Sequence, residues 1–197
     1  DFFLPGPQAA TAWTQPGGNA ENSVEHVIAA PEFTVAWKRN IGAGSSNTRQ
    51  VMAPVVADGG KIFVLDGEAG VTAVDSGTGA VLWKADVKVA EHDKGSRFLG
   101  IGFGGGDNGG GFGGGVAVSN GKVFVSSGYR TMTALDAATG AVVWRSTVDL
   151  PIHGAPTVAG QRVFVIDVDN QLIAFNVNNG QQDWSYRGIT EPARIMR

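Results

Sequence analysis

The side chains able to do chemistry are few and scattered. His26, His92 and His153 stand far apart, with no His-x-x-x-His or His-Glu pair at metal-ligand spacing, so each reads as a loop or core hydrogen-bonding group. Asp167-x-Asp169-Asn170 opens like a calcium loop but lacks the following glycine and the distal glutamate, and Asp and Asn are expected at a hairpin tip in any case. Ser126-Ser127-Gly128 offers hydroxyls, yet no local pattern sets a general base beside them, and the triplet occupies the same place in its repeat as Leu65-Asp66-Gly67. Gly100-Ile101-Gly102-Phe103-Gly104-Gly105 formally satisfies G-x-G-x-x-G. A dinucleotide site needs that turn to follow a strand and open a helix, whereas Asp107-Asn108, more glycine and Phe112 come next. These residues therefore assign no catalytic, cofactor or metal site, and the reading is of a non-enzyme.

Composition narrows the field further. Within the 197 residues there is no cysteine, which excludes disulfides, thiolate metal sites and a thiol nucleophile in this stretch. A net charge of -3 with mixed signs argues against a nucleic-acid surface. The 30 glycines suit many short strands joined by tight turns.

The elements that position these residues are set by a repeat. Lys61 to Trp83, Lys122 to Trp144 and Arg162 to Trp184 each open with a basic residue and Ile/Val-Phe-Val. They close on AVDSGTGAVLW, ALDAATGAVVW and AFNVNNGQQDW. A fixed repeat means one structural unit used several times. Each block splits into strand-length segments, in the first block Lys61–Leu65, Val71–Val74 and Ala80–Trp83, with a further candidate upstream at Ala53–Ala57, Gly115–Ser119 or Ala155–Ala159. Asp75 and Asp136 can accept from amides two residues on, while Gly79, Gly140 and Gly180 can take the positive φ of a tight turn.

Both alternating faces of the second strand are apolar, with Ile62 and Val64 on one and Phe63 and Leu65 on the other. Such a sheet needs neighbours on both sides. Four antiparallel strands per unit, stacked radially, satisfy that need, so the expected fold class is an all-β propeller of four-stranded antiparallel blades. Trp144 to Trp184 is 40 residues and Trp37 to Trp83 is 46, within the ~40–50-residue period of propeller blades. Trp83 to Trp144 is 61, the excess lying in a glycine-rich insertion at 95–115. The expected organisation is an N-terminal extension over 1–32 and a partial propeller over 33–197. Its parts are a closing strand at 33–39 and blades at about 50–87, 113–148 and 154–187. Alternation on the last strand puts Val81 and Trp83 on one face. Val24–Ala30 suits a short helical turn, and Trp13 an aromatic plug fixing the tail to the propeller edge. Phe98, Phe103 and Phe112 are expected to anchor the glycine segment.

The Ala-x-Asp-x-x-Thr-Gly-x-x-x-Trp pattern resembles the tryptophan-docking repeat of quinoprotein-type β-propellers, complete in two blocks and reduced to Asn176 and Asn179 in the third. Within that superfamily, Trp13-Thr14-Gln15-Pro16-Gly17-Gly18-Asn19, the Arg97–Gly115 segment and Glu191-Pro192-Ala193-Arg194-Ile195-Met196-Arg197 resemble the BamB family of outer-membrane assembly lipoproteins. The resemblance implies an eight-bladed ring of which this chain is about half, with Trp83, Trp144 and Trp184 docking on neighbouring blades. It implies a non-enzymatic scaffold at the periplasmic face of the outer membrane of a Gram-negative bacterium, lipid-anchored in the full-length protein. The implied partners are the periplasmic domains of the central barrel-assembly protein and unfolded outer-membrane proteins, with no cofactor. Ile195, Met196 and Arg197 match the family's partner-binding loop, or else an ordinary interblade linker. The alternative is a fragment of a pyrroloquinoline-quinone-dependent dehydrogenase, which shares the docking repeat. For the fragment, the other half is expected from a separate chain or a second copy of this one.

Overall fold

The computed structural model describes residues 6–7, 9, 12–19, 26–28, 31–44, 53–88 and 114–188. All regular structure among them is β, in twelve strands. They are β1 (Val56–Asp58), β2 (Lys61–Leu65), β3 (Gly70–Asp75), β4 (Val81–Asp86), β5 (Gly114–Ser119) and β6 (Lys122–Ser127). They continue as β7 (Thr131–Asp136), β8 (Val142–Thr147), β9 (Thr157–Ala159), β10 (Arg162–Ile166), β11 (Gln171–Asn176) and β12 (Gln182–Arg187). Each consecutive set of four forms one antiparallel sheet in sequence order. The repeat read from the sequence is thus the folding unit.

Antiparallel hairpins close locally because their turns supply the needed backbone. In β2–β3, Lys61 faces Asp75 and Leu65 faces Val71, and the same offsets recur at Lys122↔Asp136 and Arg162↔Asn176. The β3–β4 pairing slips one residue, with Ala73 opposite Trp83 and Val74 opposite Val81. Leu82 is the unpaired extra residue of a β-bulge, and Val143 and Asp183 hold its place in the other blades. Because Ala73 and Val74 point to opposite faces, Val81 and Trp83 do too. Strict alternation, which would have put them on one face, is broken by the bulge.

The blades stack face to face. One buried cluster joins Phe63, Leu65, Val71, Ala73 and Trp83 of the first to Val116, Val118, Val123, Val125 and Leu135 of the second. A second cluster joins Phe124, Met132, Ala134 and Trp144 to Val158, Val163, Val165, Ile173 and Phe175 of the third. This is the two-faced burial that the apolar second strands demand. β5 lies against β1 and β9, so the first strands of successive blades sit side by side.

Across these first strands runs a strap from the N-terminal segment. Trp13 N–H donates to Ala57 O (2.7 Å) and Trp13 O accepts from Ala57 N–H (2.8 Å). Thr14 O accepts from Val118 N–H (2.7 Å), and Gln15 Oε1 accepts from Val158 N–H (3.0 Å). Pro16 and Gly17 then close a turn, with Gly17 at φ 88° and Gly18 N–H donating to Gln15 O. Backbone bonds and a buried Gln15 fix the tail, rather than the expected Trp13 plug. The indole stays 41% exposed and lies over Gly18 of its own turn.

Two further expectations concern the segment before the first blade. Phe33–Arg39 forms no strand among the described residues. A closing strand at 33–39 is expected to pair with strands other than those of these three blades, and none of the three sheets extends to it. Of Val24–Ala30 only residues 26–28 are described, where Val27 makes an isolated bridge, and the rest of the expected helical turn lies outside the described residues. Of the glycine insertion, Gly114 and Gly115 open β5. The remainder, with Phe98, Phe103 and Phe112, lies outside the described residues.

The outward face of the third blade carries Phe164, Ile166, Leu172, Trp184 and Tyr186 in cross-strand register, and Ile166, Trp184 and Tyr186 are exposed. A contiguous apolar surface of this kind drives association. Light scattering coupled to size exclusion should show this 197-residue chain gaining mass with concentration, and Trp184→Ser with Tyr186→Ser should suppress the gain. A single-chain mass at every concentration would show that the face is tolerated in water.

Candidate functional site

Among the described residues, a contact between an indole and a glycine turn repeats from blade to blade. In the first two turns, a carboxylate at the end of one strand gathers the amides that follow. Asp75 Oδ1 accepts from Gly77 N–H (3.1 Å), Thr78 N–H (2.8 Å) and Thr78 Oγ1–H (2.8 Å). Asp136 does the same with Ala138 (3.0 Å) and with the amide and hydroxyl of Thr139 (both 2.8 Å). In the third turn Asn176 Oδ1 accepts from Asn178 N–H (2.9 Å), and Asn179 Oδ1 from Gln181 N–H (3.0 Å). The turn that looks degraded in sequence is therefore built on the same plan without charge.

Each turn ends on a glycine at positive φ: 68° at Gly79, 76° at Gly140 and 70° at Gly180. A Cβ there would lie 2.7 Å from the Trp37 ring at Gly79, 2.6 Å from Trp83 at Gly140 and closer still to Trp144 at Gly180. Glycine is required twice, by the backbone angle and by the ring lying flat on it. The indole N–H completes the contact, always to the carbonyl three residues before the glycine. Trp37 donates to Ser76 O (2.9 Å), Trp83 to Ala137 O (3.1 Å) and Trp144 to Val177 O (3.0 Å).

The six expected docking residues thus divide. Gly79, Gly140 and Gly180 each receive an indole, and Trp83 and Trp144 are buried on the next blade. Trp184 keeps the intrablade half of the arrangement, its ring 5.9 Å from Phe164 as Trp83 is 5.8 Å from Phe63 and Trp144 6.0 Å from Phe124. Among the described residues no turn covers Trp184, and it is 40% exposed. Trp37 docks without belonging to a formed strand.

At the opposite end of the blades, the β2–β3 and β10–β11 tips hold the chain that enters their own blade. Asp66 Oδ1 accepts from Glu68 and Gly70 amides (2.9 and 2.7 Å) while Oδ2 accepts from Ala43 N–H (3.0 Å). Asp167 Oδ1 accepts from Asp169 and Gln171 amides (both 2.9 Å), and Ile152 bridges to Asp167. The calcium-like run is a self-satisfied hairpin tip. Ser126 Oγ–H donates to Gly154 O (2.7 Å), tying the second blade to the linker of the third, and Ser127 Oγ pairs with Thr131 Oγ1 (2.6 Å). Both serines are buried and used for folding. His153 contributes its backbone amide, to Ile166 O (2.9 Å). Gln15 and the inter-blade role of Ser126 have no sequence signature, since each depends on a neighbour far along the chain. His92, the glycine motif at 100–105, and Ile195, Met196 and Arg197 lie outside the described residues.

Three four-stranded blades packed face to face, each receiving an indole on a glycine turn, define an arc of a quinoprotein-type β-propeller. The family described as outer membrane protein assembly factor BamB matches residues 20–93 and 68–197, and the chain belongs to that family. The outer membrane protein assembly factor BamB of Shewanella oneidensis is 27% identical over 77% of this chain and 36% of its own length. That of Yersinia pestis is 26% identical over 83% and 39%. The chain thus spans well under half the length of these relatives. A quinohemoprotein alcohol dehydrogenase of Comamonas testosteroni is 30% identical over 80% of the chain and 22% of its own length. The solved quinohemoprotein alcohol dehydrogenase ADHIIG of Pseudomonas putida HK5 shares the fold, with a TM-score of 0.70 and 21% identity over 90% of this chain and 27% of that one.

Removing a docked indole deletes a large buried side chain, so Trp83→Ala or Trp144→Ala should cost about 3–5 kcal/mol. Trp184→Ala, losing a half-exposed ring, should cost about 1–2 kcal/mol. Melting temperatures across the three variants test the order, and equal losses would show that docking is not what buries these rings.

The carboxyls of Asp75 and Asp136 are held below their ordinary 3.8, first by the hydroxyl and then by the amide of Thr78 or Thr139, against a smaller opposing effect of desolvation. A carboxyl depressed by folding stabilises above its unfolded value and loses that contribution as pH falls through its folded one. Melting temperature should therefore fall from about pH 4 downward. The fall should be shallower in Asp75→Asn/Asp136→Asn, which copies the third turn. Identical slopes would remove these turns from the acid response.

Proposed function

We propose that this chain is part of a non-enzymatic scaffold of the outer-membrane β-barrel assembly machinery, acting at the periplasmic face of the outer membrane. It binds the periplasmic domains of the central barrel component and assists the insertion of unfolded outer-membrane proteins. The observation that carries this reading is the family match across residues 20–197, which runs through the repeats and the segments between them. The geometry agrees with it. Asp66, Asp75, Asp136 and Asp167 are each engaged by backbone amides of their own turns, Ser126 by Gly154 O and Ser127 by Thr131 Oγ1, so these groups are used to build the frame.

Ile195, Met196 and Arg197 are the proposed contact. A guanidinium beside two apolar side chains can form a bidentate pair with a carboxylate while its stem packs on apolar surface. Arg197→Ala in the full-length protein should weaken binding to those periplasmic domains about tenfold or more without lowering the melting temperature, a loss in the range of a truncated interface anchor. Unchanged affinity by titration calorimetry would remove Arg197 from the contact.

The second reading, part of a quinone-dependent dehydrogenase, is favoured by the 30% identity to the Comamonas enzyme. Adding pyrroloquinoline quinone and calcium separates the two. The scaffold reading expects no retained cofactor absorbance and no dye-linked alcohol oxidation, and retention with turnover would replace it.

A further inference from the structure

The first strands of the three blades present the same hydrogen-bonding edge to the N-terminal strap. β1, β5 and β9 are terminal in their sheets, and their outward groups are Ala57 N–H and C=O, Val118 N–H and Val158 N–H. Val118 and Val158 are buried residues. They lie under the strap, and an edge without it leaves these amides unpaired by protein and open to pairing with another strand.

What fills it reads very little sequence. Three of the four bonds to the blades use only strap backbone, and the fourth uses the carboxamide of Gln15, 3% exposed. The large side chain of the strap is not an anchor of this kind, because Trp13 is 41% exposed and rests on Gly18 of the strap's own turn. Backbone pairing to a sheet edge is satisfied by any extended segment whose residue at the Trp13 position is not proline. The one selective demand is an acceptor side chain two residues further on.

We propose that the inner edge of the blades is a receptor for an extended segment of another polypeptide, and that residues 13–18 are its built-in occupant, displaced by strand-for-strand exchange. The segment recognised is unfolded chain carrying glutamine, or another carboxamide or carboxylate, at the position of Gln15. Exchange keeps the Val118 and Val158 amides paired at every stage except the crossing, which is why the strap and the incoming strand compete for one site.

The test uses the full chain and a fluorescently labelled synthetic peptide of residues 11–19, Thr-Ala-Trp-Thr-Gln-Pro-Gly-Gly-Asn. Gln15→Ala in the protein removes one strap bond, so the peptide should bind that variant about tenfold more tightly than the unaltered chain, by anisotropy. Hydrogen exchange should show the Val158 amide losing protection in the variant and regaining it with peptide. A peptide carrying Trp13→Pro should not bind, and one with residues 11–14 replaced by other non-proline residues but Gln15 kept should bind within about fivefold, because its backbone bonds are unchanged. If Gln15→Ala does not fold, Trp13→Pro in the protein opens the strap by a different bond and takes its place. Four results would each overturn the proposal: no peptide binding once the edge is exposed, binding indifferent to proline, unaltered Val158 protection in the variant, or a complex with the mass of two protein chains.

Discussion

An indole can lie flat against a polypeptide only where no side chain intervenes, and its N–H must find a carbonyl when it does so. That constraint recurs here at Gly79, Gly140 and Gly180, each at positive φ and each offering the carbonyl three residues earlier. The turn geometry, the bulge and the apolar faces all serve it. The bulge at Leu82 lets Trp83 oppose Ala73 on the face that meets the second blade, while Asp75 shapes the turn that receives Trp37. The second sheet both gives an indole, Trp144, to the third and takes one, Trp83, from the first.

This reciprocity distributes stability along the arc. The clusters between the blades are continuous apolar layers, and the indole contacts fix how one layer is set against the next. Blades with neighbours on both sides bury both faces, whereas the outward face of the third leaves Trp184 and Tyr186 in water. The two ends of each blade also differ in kind. Glycine turns that hold indoles lie at one, and the Asp66 and Asp167 tips that secure the chain entering their blade lie at the other.

The family match covers the blades in which the Asp66, Asp75, Asp136 and Asp167 carboxylates are committed to backbone amides. The strap lies across the inner edge of these blades. Its bonds to Ala57, Val118 and Val158 also tie the three blades to one segment, so the N-terminal region reports on the spacing of all of them at once.

The sequence alone determined the unit and its number: strand periodicity, the turn residues and the position of each tryptophan are local properties, and β2, Lys61–Leu65, was legible to the residue. It also carried the reading of Asp167 and Ser127 as turn chemistry, because amides two to four residues away are fixed by short-range geometry. It misplaced Val81, because a bulge adds a residue without marking itself in the alternation. It did not show that Gln15 fills the Val158 amide or that Ser126 reaches Gly154. Those features were decided by tertiary structure, for one reason: a hydrogen bond or a ladder between residues distant in the chain exists only once packing has brought both partners to the same place.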